Sequence, residues 1–569
     1  MPASALASLA VLAAVPAARF DYCIVGGGTA GCVLASRLSA DPTKSVLVLE
    51  PGQSPRGSVK VAAPVALTKL FHSKWDWSWQ STPTEGTAHR PIHLARGKAL
   101  GGSSAFNALL YHRGSADDFD SWGLPGWGSE DMLRHFVAQE ANARADLRDS
   151  RYHGADGPLA VEDARYGNPL STLFTEAARQ AGYAENDDFN DWSRSQEGVG
   201  RFQITARRGR RAHAAATHLR AAIGRPNLHV ETGARVTRVE TDADGTATGV
   251  AFVDAAGTEQ VARIAHERGG EVLLCAGAIS TPQLLLLSGI GPSAELERHG
   301  LPVVADLPSV GASLADHPAV VTGYQIQRPI AITDQMFLAR GLLSPVRVAQ
   351  WLVRGSGPLA TSGCDWGAFV KTGAGLSQPD LQLRFVAGLG TSPDGVSSYR
   401  DIGRAGRTPS GITLQSLAIR PHARGSVGLH SADPFEAPAV DIGYGTSEKD
   451  MRTLREGLRL SRRIVEQPAF DEMRGEESWP RLDLDDDDAL DDYIRRTVHS
   501  GNALAGSCRM GREDDPSAAV TTELRVKGVG GLRVVDASIL PRMPGGQLGA
   551  TVFALADKAA DMIIAGQQR

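Results

Sequence analysis

Two glycine-rich turns and one acid supply the clearest chemistry in this 569-residue chain. Gly26-Gly27-Gly28-Thr29-Ala30-Gly31 reads G-x-G-x-x-G, and Glu50 follows nineteen residues beyond Gly31. Gly26 and Gly28 permit a tight turn and close backbone approach, and Gly31 lets the next helix pack near it. The helix N-terminus at Thr29 and Ala30 attracts pyrophosphate, and the Glu50 carboxylate accepts from ribose hydroxyls. This constellation points to a dinucleotide. A second glycine loop, Gly97-Lys98-Ala99-Leu100-Gly101-Gly102-Ser103-Ser104, precedes Asn107, and a third stretch runs from Gly277 to Gly291.

Other reactive types are ambiguous on their own. The thiol of Cys364 is either a hydrogen donor or a small apolar core residue. Arg384 alternates with Gln382 and Leu383 as on a strand, where it serves as a sheet-edge ion pair or as an anchor for an anion. The run Asp485-Asp486-Asp487-Asp488 suggests a solvated helix start rather than a metal site, because Arg495 and Arg496 follow near the other end and suit the helix dipole.

The elements that must position these groups follow from periodicity. Asp21–Val25 reads as a strand, Thr29–Ser39 as a helix and Val46–Glu50 as a second strand, a β-α-β unit whose handedness makes a parallel pair. Leu228–Thr232, Arg235–Glu240, Ala247–Asp254, Glu271–Cys275 and Gly531–Asp536 also read as strands. Thr281–Leu287 and Thr551–Ile564 read as helices. The nucleotide-type elements lie at both ends of the chain, so we expect one α/β, Rossmann-like cofactor domain assembled from 20–115, 200–320 and 500–569. Connecting segments are expected over 116–199. A sheet-based substrate domain over 321–499 is indicated by alternation in Asp380–Val386 and Ile412–Ile419. The apolar segment Ile330–Leu359 is expected either to shield a channel mouth or to form an amphipathic surface helix packed on the core.

Composition excludes several classes. Hydrophobic residues make up 42% and charged residues 22%, an ordinary folded profile. Net charge is −5 with no basic block, so nucleic acid has no electrostatic footprint. The 63 glycines follow no G-X-Y period, which excludes collagen and fits many tight turns. Five cysteines without a C-x-x-C give neither a disulfide framework nor a zinc site, and indicate a reducing compartment. No apolar run of 18 residues suggests a spanning helix. The Ala-rich, acid-free first 19 residues read as a transit-peptide remnant or a disordered leader. No feature specifies an oligomer.

At Gly97–Asn107 and Gly277–Gly291 the chain resembles the glucose–methanol–choline (GMC) oxidoreductases. Asp316-His317-Pro318 and Val534-Val535-Asp536-Ala537-Ser538 extend the likeness, and Phe106 replaces an aliphatic residue in the first signature. The resemblance implies the GMC fold and FAD as the cofactor. It places Arg96, Gly97, Gly101, Gly102, Ser103, Asn107 and Ala108 along the pyrophosphate and isoalloxazine, and adds Val236, Asp536 and Ala537 to the binding site.

Alcohol oxidation needs a base, which the family supplies three residues before its Gly-Thr-Cys-x-Met-Gly-like segment. Here that segment is Gly506–Gly511, and Ala503 stands in the base position with Asn502 before it; the nearest histidine is His499. The second polar slot, near the C-terminus, holds Gln547 or Gly549. With Thr361–Asp365, Pro379–Val386 and His499–Ala503, this departure resembles the fatty acid photodecarboxylase branch. That likeness implies light-driven loss of CO2 from a free fatty acid to leave an alkane or alkene. It assigns Cys364, Arg384, Asn502 and His499 to the reacting centre, Tyr399 and Gln415 to the surrounding polar network, and a chloroplast as the location. A dark dehydrogenase or oxidase using His499 as a displaced base, and a non-catalytic flavin photoreceptor sensing light through Cys364, are the alternative readings. Peripheral contact with a membrane, where fatty acids reside, is a further expectation.

Overall fold

Val46–Glu50 is buried at every position, and so are Tyr22–Val25 and Glu271–Leu274. Unbroken burial of this kind marks strands covered on both faces, as in a parallel sheet. The computed structural model, which describes residues 19–338, 341–400, 402 and 410–566, shows that arrangement. A five-stranded sheet has the order Leu228–Thr232, Val46–Glu50, Tyr22–Val25, Glu271–Leu274 and Leu532–Val534, parallel throughout. Its members come from both ends of the chain. The expected leader lies outside the described residues apart from Arg19.

The helix Thr29–Leu38 crosses over this sheet and packs on the C-terminal helix Leu548–Gly566. Arg37 pairs with Asp557 across that contact, and His135 Nδ1 meets the other Asp557 oxygen at 2.8 Å. Gly31 is required at the turn, because a Cβ there would lie 2.0 Å from the Gly26 carbonyl oxygen.

The second sheet is antiparallel and seven-stranded. Its path runs Arg474–Trp479, Pro318–Ile326, Gly411–Ala418, Leu381–Val386, Trp366–Val370 and Gly198–Arg201, with His499–Ser500 pairing beside Arg474–Trp479 on Pro318–Ile326. The helix Glu448–Val465 packs on its Pro318–Ile326, Leu381–Val386 and Gly411–Ala418 strands. A three-stranded antiparallel sheet, Arg235–Thr241, Ala247–Val253 and Glu259–Arg263, stands apart. The acidic run does start a helix: Asp486 caps Asp487–Thr497 by accepting from the Ala489 N–H at 3.0 Å, and Arg495 and Arg496 lie in the last turn.

Most boundaries agree with the sequence reading to within one or two residues, and the larger differences have physical content. The helix expected from Thr281 begins at Gly277 and continues through Pro282, because the buried Asp536 carboxylate accepts from the Gly277 N–H at 2.8 Å and from Thr281 Oγ1 at 2.6 Å, fixing an earlier first turn. The final helix begins at Leu548 rather than Thr551. Ile330–Leu359 forms separate helices, Ile332–Met336 and Pro345–Arg354, and a short turn Pro358–Ala360. Among the described residues no helix is long and apolar enough to cross a membrane.

Candidate active site

One cavity, with about 1920 Å³ of empty space counting its open mouth, joins the two sheets. One part of its wall is the carboxyl end of the parallel sheet. There Glu50, 5% exposed, accepts from the Gly27 N–H at 2.9 Å and from the Gly52 N–H at 2.8 Å. Burial pushes its carboxyl up to about 7, against the lowering effect of those two bonds. The two glycine loops meet over this end. Gly102 has φ +51°, and a Cβ there would lie 2.7 Å from the Gly28 Cα. A ligand laid on the turn therefore meets backbone from both loops.

Cations complete that end. Lys98 Nζ lies 4.8 Å from the Trp77 ring centre and the Arg235 guanidinium 5.3 Å from it. Burial and then the Arg235 charge hold the Lys98 ammonium below its ordinary value. Of the two, Arg235 lines the cavity and Lys98 stands outside its lining. The residues present thus fit FAD at its nucleotide end, with Glu50 for the ribose and the Gly26–Gly31 and Gly97–Asn107 loops for the pyrophosphate.

The other part of the wall comes from the antiparallel sheet and carries a row of side-chain contacts. His112 Nδ1 donates to Gln547 Oε1, and Gln547 Nε2 donates to Gln382 Oε1 at 2.6 Å. Arg384 Nε donates to the same Gln382 oxygen at 3.3 Å, and Arg384 Nη1 donates to Gln415 Oε1, also at 3.3 Å. Gln415 Nε2 donates to His499 Nε2 at 2.7 Å, which leaves the His499 Nδ1–H for the Thr497 carbonyl at 3.2 Å. Strand register explains the row: Gln382 and Arg384 share one face of Leu381–Val386, and Arg384 stands opposite Gln415.

This row holds one positive charge and no negative one. Arg384 is 5% exposed, and among the described residues it has no ion pair; its only bonds are the two long ones to amide oxygens. Burial lowers its guanidinium from the ordinary value, with Cys364 and Asp316 acting in the opposite sense. Asp316 is already committed: it accepts from the N–H groups of His317 at 2.9 Å and Ala503 at 2.7 Å, from Tyr444 Oη at 2.8 Å, and from the Ser500 hydroxyl. Burial also depresses the imidazoles, to about 4 for His499 and about 3 for His112, so both are neutral at physiological pH.

Most of the residues expected from the sequence come together here. Gly26, Gly28, Thr29, Ala30, Glu50, Arg96, Gly97, Gly102, Ser103, Asn107, Ala108, Val236, Asp536, Ala537, Arg384 and Asn502 all line the cavity. Gly31, Gly101, Cys364, Tyr399, Gln415 and His499 stand outside its lining. Asn502 takes a left-handed backbone, φ +62°, and its carbonyl accepts from Arg96 Nη1 at 3.2 Å. Cys364 lies just before the Trp366–Val370 strand that flanks Arg384, with Sγ 3.6 Å from Ser362 Oγ. Burial raises its thiol pKa, partly offset by Arg384. Tyr399 Oη donates to Thr413 Oγ1 at 2.7 Å and lies 3.0 Å from the Gly388 carbonyl, so it belongs to the supporting structure. None of the described residues of Ile330–Leu359 lines the cavity.

Sequence reasoning missed Gln382, His112 and Arg235, whereas Lys98 belongs to the second glycine loop already singled out. Gln382 was within reach, because period 2 puts it on the Arg384 face of the strand. His112 and Arg235 carry no local pattern; distant segments bring them to the site.

Fold and cradle together define an FAD-dependent flavoenzyme. The chain belongs to the GMC oxidoreductase family, whose N-terminal profile matches residues 20–319 and whose C-terminal profile matches 421–556. It is 47% identical over 559 residues to a protein named fatty acid photodecarboxylase, chloroplastic, from Chlamydomonas reinhardtii, covering 96% of this chain and 90% of the relative. It is 36% identical to an oxygen-dependent choline dehydrogenase from Photobacterium profundum, covering 96% and 93%. Among solved structures it is similar to an Aspergillus oryzae formate oxidase described for its FAD modification, with TM-score 0.88 and 27% identity over 98% of this chain and 100% of that one. It is also similar to pyridoxine 4-oxidase from Mesorbium loti, with TM-score 0.83 and 30% identity over 95% and 99%.

Proposed function

We propose that this chain decarboxylates free fatty acids under blue light, releasing CO2 and a hydrocarbon one carbon shorter. The observation that carries the reading is Arg384, a buried guanidinium at the cavity wall with no carboxylate partner among the described residues. A substrate carboxylate supplies the missing counter-ion. Guanidinium stays protonated at any working pH, so it holds the acid as its anion, the form that gives up an electron.

Bound FAD would supply light absorption and a one-electron oxidant that takes an electron from the carboxylate and returns it after CO2 has left. The rest falls to the protein. Arg384 binds and orients the carboxylate, Gln382 and Gln415 hold the guanidinium in place, and Asn502 offers an amide donor without taking a proton. The Cys364 thiol, kept as S–H by burial at the head of the strand paired with that of Arg384, gives a hydrogen atom to the alkyl radical, and the sulfur left behind is restored by the returned electron and a proton from water. An acyl tail adds roughly 0.8 kcal/mol of binding for each CH2 it buries, enough for the chain itself to set affinity.

The dark oxidation reading has support in the 36% identity to a choline dehydrogenase, but it asks for a base. His499 Nε2 is occupied by Gln415. Ala503 lines the cavity where a base would stand. The photoreceptor reading is separated from ours by product formation alone. A chloroplast location belongs to this proposal and is supported by the designation of the Chlamydomonas relative. The test is gas chromatography of holoprotein incubated with palmitate, lit and unlit. We expect pentadecane only in the lit samples; illuminated samples without hydrocarbon would end the proposal.

A further inference from the structure

The helix Pro345–Arg354 is amphipathic the wrong way round. At 100° per residue, Leu352, Pro345, Ala349, Val353 and Val346 fall within one arc of about 120°. All five are exposed, with Val346 at 71%, Leu352 at 51% and Val353 at 83%. The inward side is carried by Trp351, 1% exposed, which donates from Nε1 to the Gly209 carbonyl at 2.8 Å. Just before the helix, Leu338, Leu342 and Leu343 are exposed at 52%, 65% and 42%. Twelve large apolar side chains are exposed among the described residues, and six of them lie between Leu338 and Val353. Surface apolar residues scatter singly in most proteins; a concentration like this marks a binding face.

Charge around the patch narrows the partner. Arg210 stacks on Trp351 at 4.5 Å and donates to the Leu352 carbonyl at 3.4 Å, and the Arg208 carbonyl packs against Gly355 at the helix end. Arg347 and Arg354 lie on the helix itself. None of these four arginines is in an ion pair among the described residues. Glu162, the acid beside Arg208, is taken up by the N–H groups of Arg208 and Gly209 at 2.9 and 2.7 Å. A second copy of the chain docking through this face about a two-fold axis would bring the same arginines together. A bilayer carrying anionic headgroups accepts the apolar arc and the arginines at once.

We infer that Leu338–Arg354 seats the protein on an anionic lipid surface, the arc entering the acyl boundary and the arginines meeting headgroups. The inner face of the helix packs through Trp351 and Val348 against Ala63 and Ala66, and Leu67, next along that segment, lines the cavity. The seat therefore lies one layer of side chains behind the cavity wall. The inference is independent of the reaction proposed above.

Flotation of the FAD-loaded protein with vesicles tests it, using phosphatidylcholine alone and a 3:1 mixture with phosphatidylglycerol. Val346→Glu/Val353→Glu alters only exposed side chains, so fold and flavin content should be unchanged. We expect the wild type to float with the mixed vesicles, less so at high salt, and the double variant to lose at least ten-fold of that binding. Arg347→Gln/Arg354→Gln should weaken binding to the mixed vesicles and flatten its salt dependence. Wild-type protein staying at the bottom of the gradient would overturn the inference, as would the glutamate pair floating undiminished. Light scattering that shows a dimer dissolved by the glutamate pair, without flotation, would assign the face to a second copy instead.

Discussion

Arg384 and Gln415 stand opposite each other on neighbouring antiparallel strands, and the guanidinium Nη1 donates to the amide Oε1 at 3.3 Å. Gln415 then turns its amide N–H to His499. The contact fixes three things: the direction of the guanidinium, the orientation of the amide, and the loss of the His499 lone pair as a base. This arrangement suits the anion-binding role we propose better than removal of a proton.

Arg384→Lys keeps the charge and loses the planar fork, so lit hydrocarbon yield should fall by about 100-fold, the order expected when a bidentate anion contact is lost. Arg384→Met should abolish turnover and yet raise the melting temperature of ligand-free protein, because a buried charge without a partner is removed. Product analysis and thermal melts check both. Normal yield from the lysine variant, or a destabilised methionine variant, would remove the uncompensated-charge argument.

Cys364→Ser should fold and retain FAD while losing at least ten-fold of the product. The hydroxyl occupies the same place but is a far poorer hydrogen donor than a thiol. Absorbance at the flavin band and chromatography of product measure the two halves separately. Unchanged yield would make Cys364 a packing residue beside Arg384.

Glu50 gives a pH signature to the protein stripped of FAD. Its carboxyl is raised from 4.5 to about 7 by burial, so the neutral form is the one that favours folding. That contribution is complete below about pH 4.5 and is lost as pH rises through about 7. Glu50→Gln should therefore stabilise the apoprotein at pH 8 more than at pH 5, while weakening FAD retention through purification. Equal melting shifts at both pH values, with full flavin occupancy, would contradict the assignment.

His499 works in the opposite sense. Burial depresses its pKa from 6.5 to about 4, so its contribution is present above 6.5 and disappears as pH falls through about 4. His499→Gln should make the acid side of the stability profile shallower. Hydrocarbon yield should be flat from about pH 6.5 to 9, because no imidazole in the row changes charge there. A sigmoidal limb near pH 6.5 that vanishes in His499→Gln would revive the base reading.

The cofactor half was more legible in the sequence than the reaction half. Gly26–Gly31 and Glu50 are local, and one β-α-β unit displays turn, helix and acid in register. The fourth and fifth strands of that sheet were visible as apolar runs, although their order was not. The Arg384 site is built differently. Gln415, His499, Gln547 and His112 come from four distant segments, and they meet only because antiparallel register and the final helix bring them together. Residue type alone left Arg384 as an ordinary ion-pair candidate; the missing partner is a fact of three dimensions. The helix Pro345–Arg354 shows the converse limit, since its amphipathic pattern was plain and the direction of its apolar side was not.

Palmitate labelled with carbon-13 at the carboxyl group, given to holoprotein under blue light and in darkness, puts the carboxylate–Arg384 reading to its plainest test. Labelled CO2 and fifteen-carbon hydrocarbon should appear in equal amounts in the light, be absent in the dark, and fall together in Arg384→Lys. Labelled CO2 released equally in light and darkness, or no label released while an alcohol bleaches the flavin in the dark, would contradict it.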